Sequence, residues 1–280
     1  MEAEKIRELK LQAAKTRKVT LEAIRTANSG HIGGSFSIVE WLTILYFDKM
    51  NVNERNPHME NRDRFILSKG HCCPAVYATL AYRGFFPLED MRGFRKLKGY
   101  LSGHMEMNHI PGVDMSTGSL GQGLSVGAGM ALAAKCDQKD YRVFVVVGDG
   151  ETQEGQNWEA AMAAGNYALD NLICIVDNNK LQLDGNCEEI MSPYPLDQKF
   201  KAFNWNVILC DGHSMQSLSD AIDQASERNG HPTAIIMDTV KGKGVSVFEN
   251  QIRFHGGRPT EEEYKIAFQE LDRAITDLEG

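Results

Sequence analysis

The feature that most narrows the possible folds of this chain is a pair of apolar runs separated by a helix-length segment. Residues 143–147 read Val-Phe-Val-Val-Val, break at Gly148-Asp149-Gly150, continue through a helix-like stretch over 151–169, and return to a second apolar run that stops at Asp177-Asn178-Asn179. Runs without polar alternation are what strands covered on both faces look like, and the segment between them is long enough for a crossover helix. The pattern predicts a βαβ unit in a three-layer α/β/α fold with a mainly parallel sheet. In a right-handed unit both strand ends open on one edge of the sheet, so Asp149 and Asn179 can face one ligand.

A carboxylate from Asp149 and an amide carbonyl from Asn179 suit a hard, oxygen-preferring cation, so Mg²⁺ or Ca²⁺ fits better than zinc. The glycines beside Asp149 remove side chains where a diphosphate would approach the backbone, and the following helix would aim its first amides there. Gly-Asp-Gly is also a common strand-to-turn signal without any chemistry. The second strand ending in Asn-Asn on the same edge is what favours a metal-diphosphate site.

The rest of the chain repeats the βα rhythm. A helical stripe runs over residues 4–26 and breaks at Asn28-Ser29-Gly30, giving a glycine-rich loop, Gly30-His31-Ile32-Gly33-Gly34, before a buried helix over 37–50 capped near Ser35 or Ser37. Residues 51–63 read as loop, 65–67 as a short strand running into Ser68-Lys69-Gly70-His71, and 73–83 as a helix with Pro74 in its first turn. A loop-rich stretch over 86–111 contains Gly103-His104, the third Gly-His pair. Residues 115–123 lead into a Gly/Ala-rich helix over 124–135, where glycines allow tight packing on a sheet or let a flat ring lie on the backbone. Beyond the central unit, 181–195 is irregular and 200–210 contains a strand ending in Asp211-Gly212-His213. A helix over 217–228, a strand over 233–239 ending in Val240-Lys241-Gly242, a loop carrying His255-Gly256-Gly257 and a charged helix over 261–278 complete it. With no repeat or linker, one domain over residues 1–280 is expected.

A chain of 280 residues with 42% hydrophobic content can bury a sizeable core. A net charge of −8 without an extended basic run offers no electrostatic footprint for nucleic acid. The six cysteines form no Cys-x-x-Cys pair or zinc spacing and read as reduced thiols, the adjacent Cys72 and Cys73 as packing residues. No signal-peptide core or membrane-length apolar run occurs, and a soluble cytoplasmic protein is expected.

Gly148-Asp149-Gly150, followed by Glu154-Gly155, Trp158-Glu159-Ala160 and closing on Asp177-Asn178-Asn179, resembles the thiamine diphosphate motif of transketolases. Ser29-Gly30-His31-Ile32-Gly33 is similar to a transketolase active-site signature, and the likeness runs through nearly the whole chain. It implies that Asp149 and Asn179 hold Mg²⁺ through side chains and Leu181 through its carbonyl, and that the Gly150 amide meets the diphosphate. His71 and His255 match histidines near the diphosphate, and His31 and His104 those lining the sugar channel. Gly118, Ser119 and Leu120 match the segment against the cofactor rings, Lys241 a basic residue near the cofactor, and Glu154 a carboxylate of a proton network between paired active sites. Bacterial full-length members commonly carry two histidines around the position of His255, whereas this chain has one before Gly256.

In that family a pyrimidine-binding domain follows, and its glutamate protonates the cofactor's aminopyrimidine. The resemblance therefore implies that the glutamate comes from a separate C-terminal subunit, in an assembly that pairs with itself as α2β2, acting on sugar phosphates by ketol transfer with His31, His71, His104 and His255 as acid/base and hydrogen-bonding groups. A truncated chain is the other way to account for the missing part. Three competing readings differ in detail. A 1-deoxyxylulose-5-phosphate synthase shares the scaffold, yet Ser68-Lys69-Gly70-His71 and residues 117–123 fit transketolase better. A 2-oxo acid dehydrogenase alpha subunit lacks the Ser-Gly-His-x-Gly loop. A non-catalytic cofactor-binding paralogue has no need of four intact histidines.

Overall fold

The computed structural model describes all residues from Met1 to Gly280. Its centre is a sheet of five strands, β1 (Arg64–Leu67), β2 (Val143–Gly148), β3 (Leu172–Asn178), β4 (Asn206–Asp211) and β5 (Thr233–Asp238). They lie in the order β1-β2-β3-β5-β4 and every pairing is parallel.

The unbroken apolar runs follow from burial on both faces. Phe144 and Val146 of β2, Ile173 and Ile175 of β3, and Ile235 and Met237 of β5 point into one core cluster. That cluster includes side chains of α1 (Ala3–Ala27), α2 (Ile32–Phe36), α3 (Val39–Ile44), α4 (Cys73–Arg83), α9 (Met215–Ala225) and α10 (Glu261–Glu279). The alternate residues Val143, Val145, Val147, Leu172, Cys174, Val176, Ala234 and Ile236 point into a second cluster with α5 (Gly123–Cys136), α6 (Gly155–Asn166) and α8 (Leu196–Ala202). Three layers result, as two buried faces of one sheet require. The small residues of α5 have a steric reason: a Cβ at Gly127 would stand 2.4 Å from Val145 Cγ2, so only glycine lets this helix lie so close to β2.

Several boundaries differ from the sequence expectation. The glycine-rich segment after α1 is not a loop throughout; α2 begins at Ile32 and contains Gly33 and Gly34. The helix expected over 37–50 is α3 followed by a wide π turn, Leu45–Lys49. After Asp149 the chain makes a 3-10 turn, Gly150–Gln153, and α6 starts only at Gly155. The cause is Glu151, whose buried carboxylate accepts from the Gly121 and Gly148 amides and the Ser68 hydroxyl and so ties the turn inward. The region expected to be irregular holds α7 (Cys187–Met191), and α8 was not anticipated; its Leu196 and Phe200, one helical turn apart, both enter the second core cluster.

Candidate functional site

The carboxyl ends of the parallel strands converge on one edge, and the segments leaving β1, β2, β3 and β5 line a cavity of about 340 Å³ there. Asp149 and Gly150 come from the end of β2, Asn179 and Leu181 from β3, Lys69 and His71 from β1, Lys241 from β5, and His255 from the turn Ile252–His255. Leu120 and Glu154 stand at the same wall and are exposed. Sequence motifs up to about 190 residues apart are thus brought together by topology alone, as parallel α/β sheets do at their carboxyl edge.

Asp149 is 2% exposed. Its Oδ1 accepts from the Gly150 amide at 2.8 Å and its Oδ2 from the Lys180 amide at 2.5 Å, but no cationic side chain bonds to it. Burial, reinforced by the charge of Asp177, pushes its carboxyl up to about 6. A buried carboxylate without a counter-ion is a feature that a bound cation would stabilise. Asn179 points its Oδ1 at the Leu181 amide at 3.1 Å because its Nδ2 is committed to Asp177 at 2.8 Å. Leu181 offers its carbonyl, which here accepts from Lys241 Nζ at 2.8 Å. A carboxylate, an amide oxygen and a backbone carbonyl around one cavity form a donor set for a hard divalent cation. The fit is a matter of donor chemistry.

Two imidazoles of the cavity lining, His71 and His255, meet a third, His31, which lies outside the lining. The His31 ring lies 4.9 Å from that of His71 and 5.7 Å from that of His255, and the His71 and His255 rings stack at 5.3 Å. Burial, with the neighbouring histidines and Arg95, lowers His31 to about 4. Burial and Lys69 lower His71 to about 4; burial and Lys241 lower His255 to about 3. All three are neutral at pH 7, so each ring offers one donor and one acceptor. Lys241 bonds to His255 Nδ1 at 2.9 Å, and its ammonium is pulled below the usual lysine range mainly by burial. His104 lies outside the cavity wall, against Gly118: a Cβ at Gly118 would stand 3.1 Å from its ring. Gly118 and Ser119 line an adjoining hollow with Met115 and Val126.

Three buried polar residues had no role in the sequence reading. Asp177 is wholly buried and accepts from Lys69 Nζ at 2.6 Å, Ser37 Oγ at 2.7 Å, Asn179 Nδ2 at 2.8 Å and Thr239 Oγ1. Burial alone would raise its carboxyl, but Lys69 and the hydroxyl donors hold it below the usual range. Lys69 in turn is kept above the usual lysine range by Asp177 despite its burial. Glu151, described above, is the third. The available signal was a charged residue at the end of an apolar run, which the sequence places at Asp177 and Lys69 alike.

Fold and edge together define a parallel-sheet α/β protein with a carboxylate-and-amide cavity at the carboxyl edge, where such folds bind their ligands. Comparison with known proteins narrows this class. Residues 9–272 match the family description "Transketolase, thiamine diphosphate binding domain", and the chain belongs to the transketolase family. It is 45% identical over 266 residues to the 6-deoxy-6-sulfo-D-fructose transketolase subunit SqwG of Clostridium sp. (strain MSTE9), covering 95% of this chain and 97% of that one. It is 44% identical over 271 residues to an apulose-4-phosphate transketolase subunit of Phocaeicola vulgatus, covering 97% and 96%. Against the transketolase of Mus musculus it is 38% identical over 257 residues, 90% of this chain but 40% of that protein. The crystal structure of Campylobacter jejuni transketolase superposes with a TM-score of 0.89 at 30% identity, covering 96% of this chain and 45% of that one. The chain thus spans nearly the full length of the subunit relatives and less than half of the longer transketolases. No helix is long and apolar enough to cross a membrane.

Proposed function

We propose that the chain is the N-terminal subunit of a two-subunit transketolase, binding thiamine diphosphate with Mg²⁺ and transferring a two-carbon ketol unit between sugar phosphates once a C-terminal subunit completes the site. The observation that carries this is Asp149, a buried carboxylate without a cationic partner, sharing a cavity with Asn179, Leu181 and the neutral imidazoles of His71 and His255. Thiamine diphosphate, when bound, supplies the electron sink for breaking a carbon–carbon bond beside a carbonyl.

The chain's own residues have separable tasks in this reading. Asp149, Asn179 and the Leu181 carbonyl hold Mg²⁺ or Ca²⁺. For the carbonyl to do so, Lys241 must leave it, and a diphosphate oxygen is the acceptor its ammonium would find in the same cavity. The Gly150 amide, now shared with Asp149, faces the diphosphate; His71 and His255 lie beside it, and Gly118, Ser119 and Leu120 lie against the rings. His31 and His104 contact the sugar, where a neutral ring can pass a proton or donate a hydrogen bond to a hydroxyl. Glu154, exposed at the rim, belongs in this reading to the proton network between paired active sites. The relatives named for subunits, which align over almost their whole length, support a separate partner carrying the pyrimidine-binding part and the acid glutamate, assembled as α2β2. Their names concern two different sugars, so the donor and acceptor of this chain follow from contacts beyond the cavity described.

Calorimetric titration with thiamine diphosphate and Mg²⁺, with and without the C-terminal subunit, tests the reading. Metal-dependent binding that strengthens with the partner, together with ketol transfer only by the pair, is expected. Absence of binding under both conditions would sink the cofactor assignment.

A further inference from the structure

Ahead of Lys241 runs a hydrogen-bonded chain, buried at Arg17 and Glu40 and partly buried at His213, none of which lines the cavity. His213, just beyond β4, accepts the Val240 amide hydrogen on Nε2 at 2.8 Å. A ring nitrogen that accepts carries no proton, so the hydrogen of the neutral imidazole sits on Nδ1, which faces Glu40 Oε2 at 3.1 Å. The same Glu40 oxygen accepts from Arg17 at 2.6 Å, and that guanidinium nitrogen also donates to the Phe36 carbonyl at 3.0 Å. Arg17 is 5% and Glu40 8% exposed, so the ion pair is shielded from water. Burial alone would raise Glu40, but Arg17 and His213 hold it ionised at about 2, which fixes the tautomer of the ring it faces.

The backbone around Lys241 is therefore pinned on both sides. Ahead of it, Val240 is bonded to His213; behind it, the Gly242 amide donates to the Gly33 carbonyl at 2.9 Å. The stem of Lys241 lies on Gly33, where a Cβ would stand 2.8 Å from its Cγ. Only the ammonium end is left to reach Leu181 and His255.

We propose that His213 is a positioning residue for the diphosphate site: oriented by the Glu40–Arg17 pair, it holds the Val240 amide and so sets where the Lys241 ammonium can reach. The inference rests on the reading of Lys241 as the cation that meets the diphosphate. His213 touches neither cofactor nor substrate and acts through the peptide that precedes Lys241.

A glutamine side chain places its terminal atoms near where Nε2 lies, and an asparagine near Nδ1. His213→Gln thus keeps an acceptor for Val240, whereas His213→Asn keeps only the Glu40 side. In the ligand-free protein, hydrogen exchange at the Val240 amide should rise about tenfold or more in His213→Asn, with β5 still protected, and return towards the wild-type rate in His213→Gln. Equal exchange in all three proteins overturns the inference. In the complex with the partner subunit, His213→Asn should weaken thiamine diphosphate affinity in Mg²⁺ about tenfold, His213→Gln by less than about threefold. In a Lys241→Met background His213→Asn should add nothing; losses that simply sum show that His213 does not act through Lys241 and overturn the inference. Nitrogen NMR of the wild-type ring needs no substitution, and a proton found on Nε2 also overturns it. A wild-type complex that binds no thiamine diphosphate refutes the cofactor reading instead, while exchange and tautomer still decide the placement of the Val240 peptide.

Discussion

Asp149 and Asp177 stand at the ends of two adjacent strands, both nearly without exposure, yet they are in opposite electrostatic states. Asp177 has four side-chain donors, one of them the Lys69 ammonium, and its carboxyl is held below the ordinary range. Asp149 has two backbone amides, a long contact from the Tyr194 hydroxyl at 3.4 Å and no cation, and its carboxyl is pushed up to about 6. The first is complete within the chain and serves the fold; the second is the one the proposed function assigns to a ligand. Burial of a charged residue therefore does not by itself mark a functional site, whereas burial with the charge unbalanced does.

The sharpest way to break this contrast is to remove each carboxylate. Asp177→Ala leaves Lys69 buried without its partner and should cost about 3–5 kcal/mol of unfolding free energy, read by chemical denaturation. A loss below about 1 kcal/mol would mean that Asp177 is not the structural member of the pair. Asp149→Ala should reverse the pattern: thiamine diphosphate affinity in Mg²⁺ falls about a hundredfold or more, while metal-free stability is unchanged or higher. Unchanged affinity would refute the metal site.

The pH dependence separates the two carboxylates further. Asp149 is raised in the folded state, so it binds a proton more tightly there than when unfolded, and its contribution falls as pH rises from about 4 to about 6. His31, His71 and His255 are lowered, so their contribution has the opposite sign: it is lost as pH falls from about 6.5 to about 4, and for His255 to about 3. Three groups outweigh one, and metal-free stability should climb across this window. Asp149→Asn should steepen the climb, and a flatter profile in that variant would contradict the assignment of the raised carboxyl to Asp149. Asp177 is lowered, so its contribution persists through this window and is lost only at lower pH, where protonation removes the tie to Lys69. The smallest effect concerns His104, which lies away from both carboxylates. His104→Ala should leave thiamine diphosphate affinity within about twofold and raise the KM for the ketose donor about tenfold. A parallel loss of cofactor affinity would place the ring at the cofactor instead.

What the sequence made legible were features that one local pattern can encode. The apolar runs of β2 and β3 revealed a sheet covered on both sides, and their polar ends revealed Asp149 and Asn179, because strand ends of a parallel sheet share an edge. The convergence of His31, His71 and His255 was hinted at only by recurring glycine-histidine steps; their ring contacts depend on three segments meeting in space. Asp177 served in the sequence merely as the end of a run, since its meaning lies in Lys69, Ser37 and Thr239, at separations of 108, 140 and 62 residues. His213 was visible as another strand-end motif but without a task, for its partners Glu40 and Val240 lie on other elements. The start of α2 at Ile32 escaped for a related reason. Gly33 and Gly34 look like loop residues, yet Lys241 packs against one and Lys69 bonds to the carbonyl of the other, so tertiary contacts override their poor helix propensity.

The contact between Lys241 and the Leu181 carbonyl carries one more consequence. The ligand loop after β3 is fastened before anything arrives, by a positive charge on a four-carbon tether supplied from β5. In the proposed function, an incoming divalent ion would take over a post already manned and displace an occupant that stays within reach. Cation uptake would then be an exchange between two charges, with much of the entropy of ordering that loop already surrendered during folding.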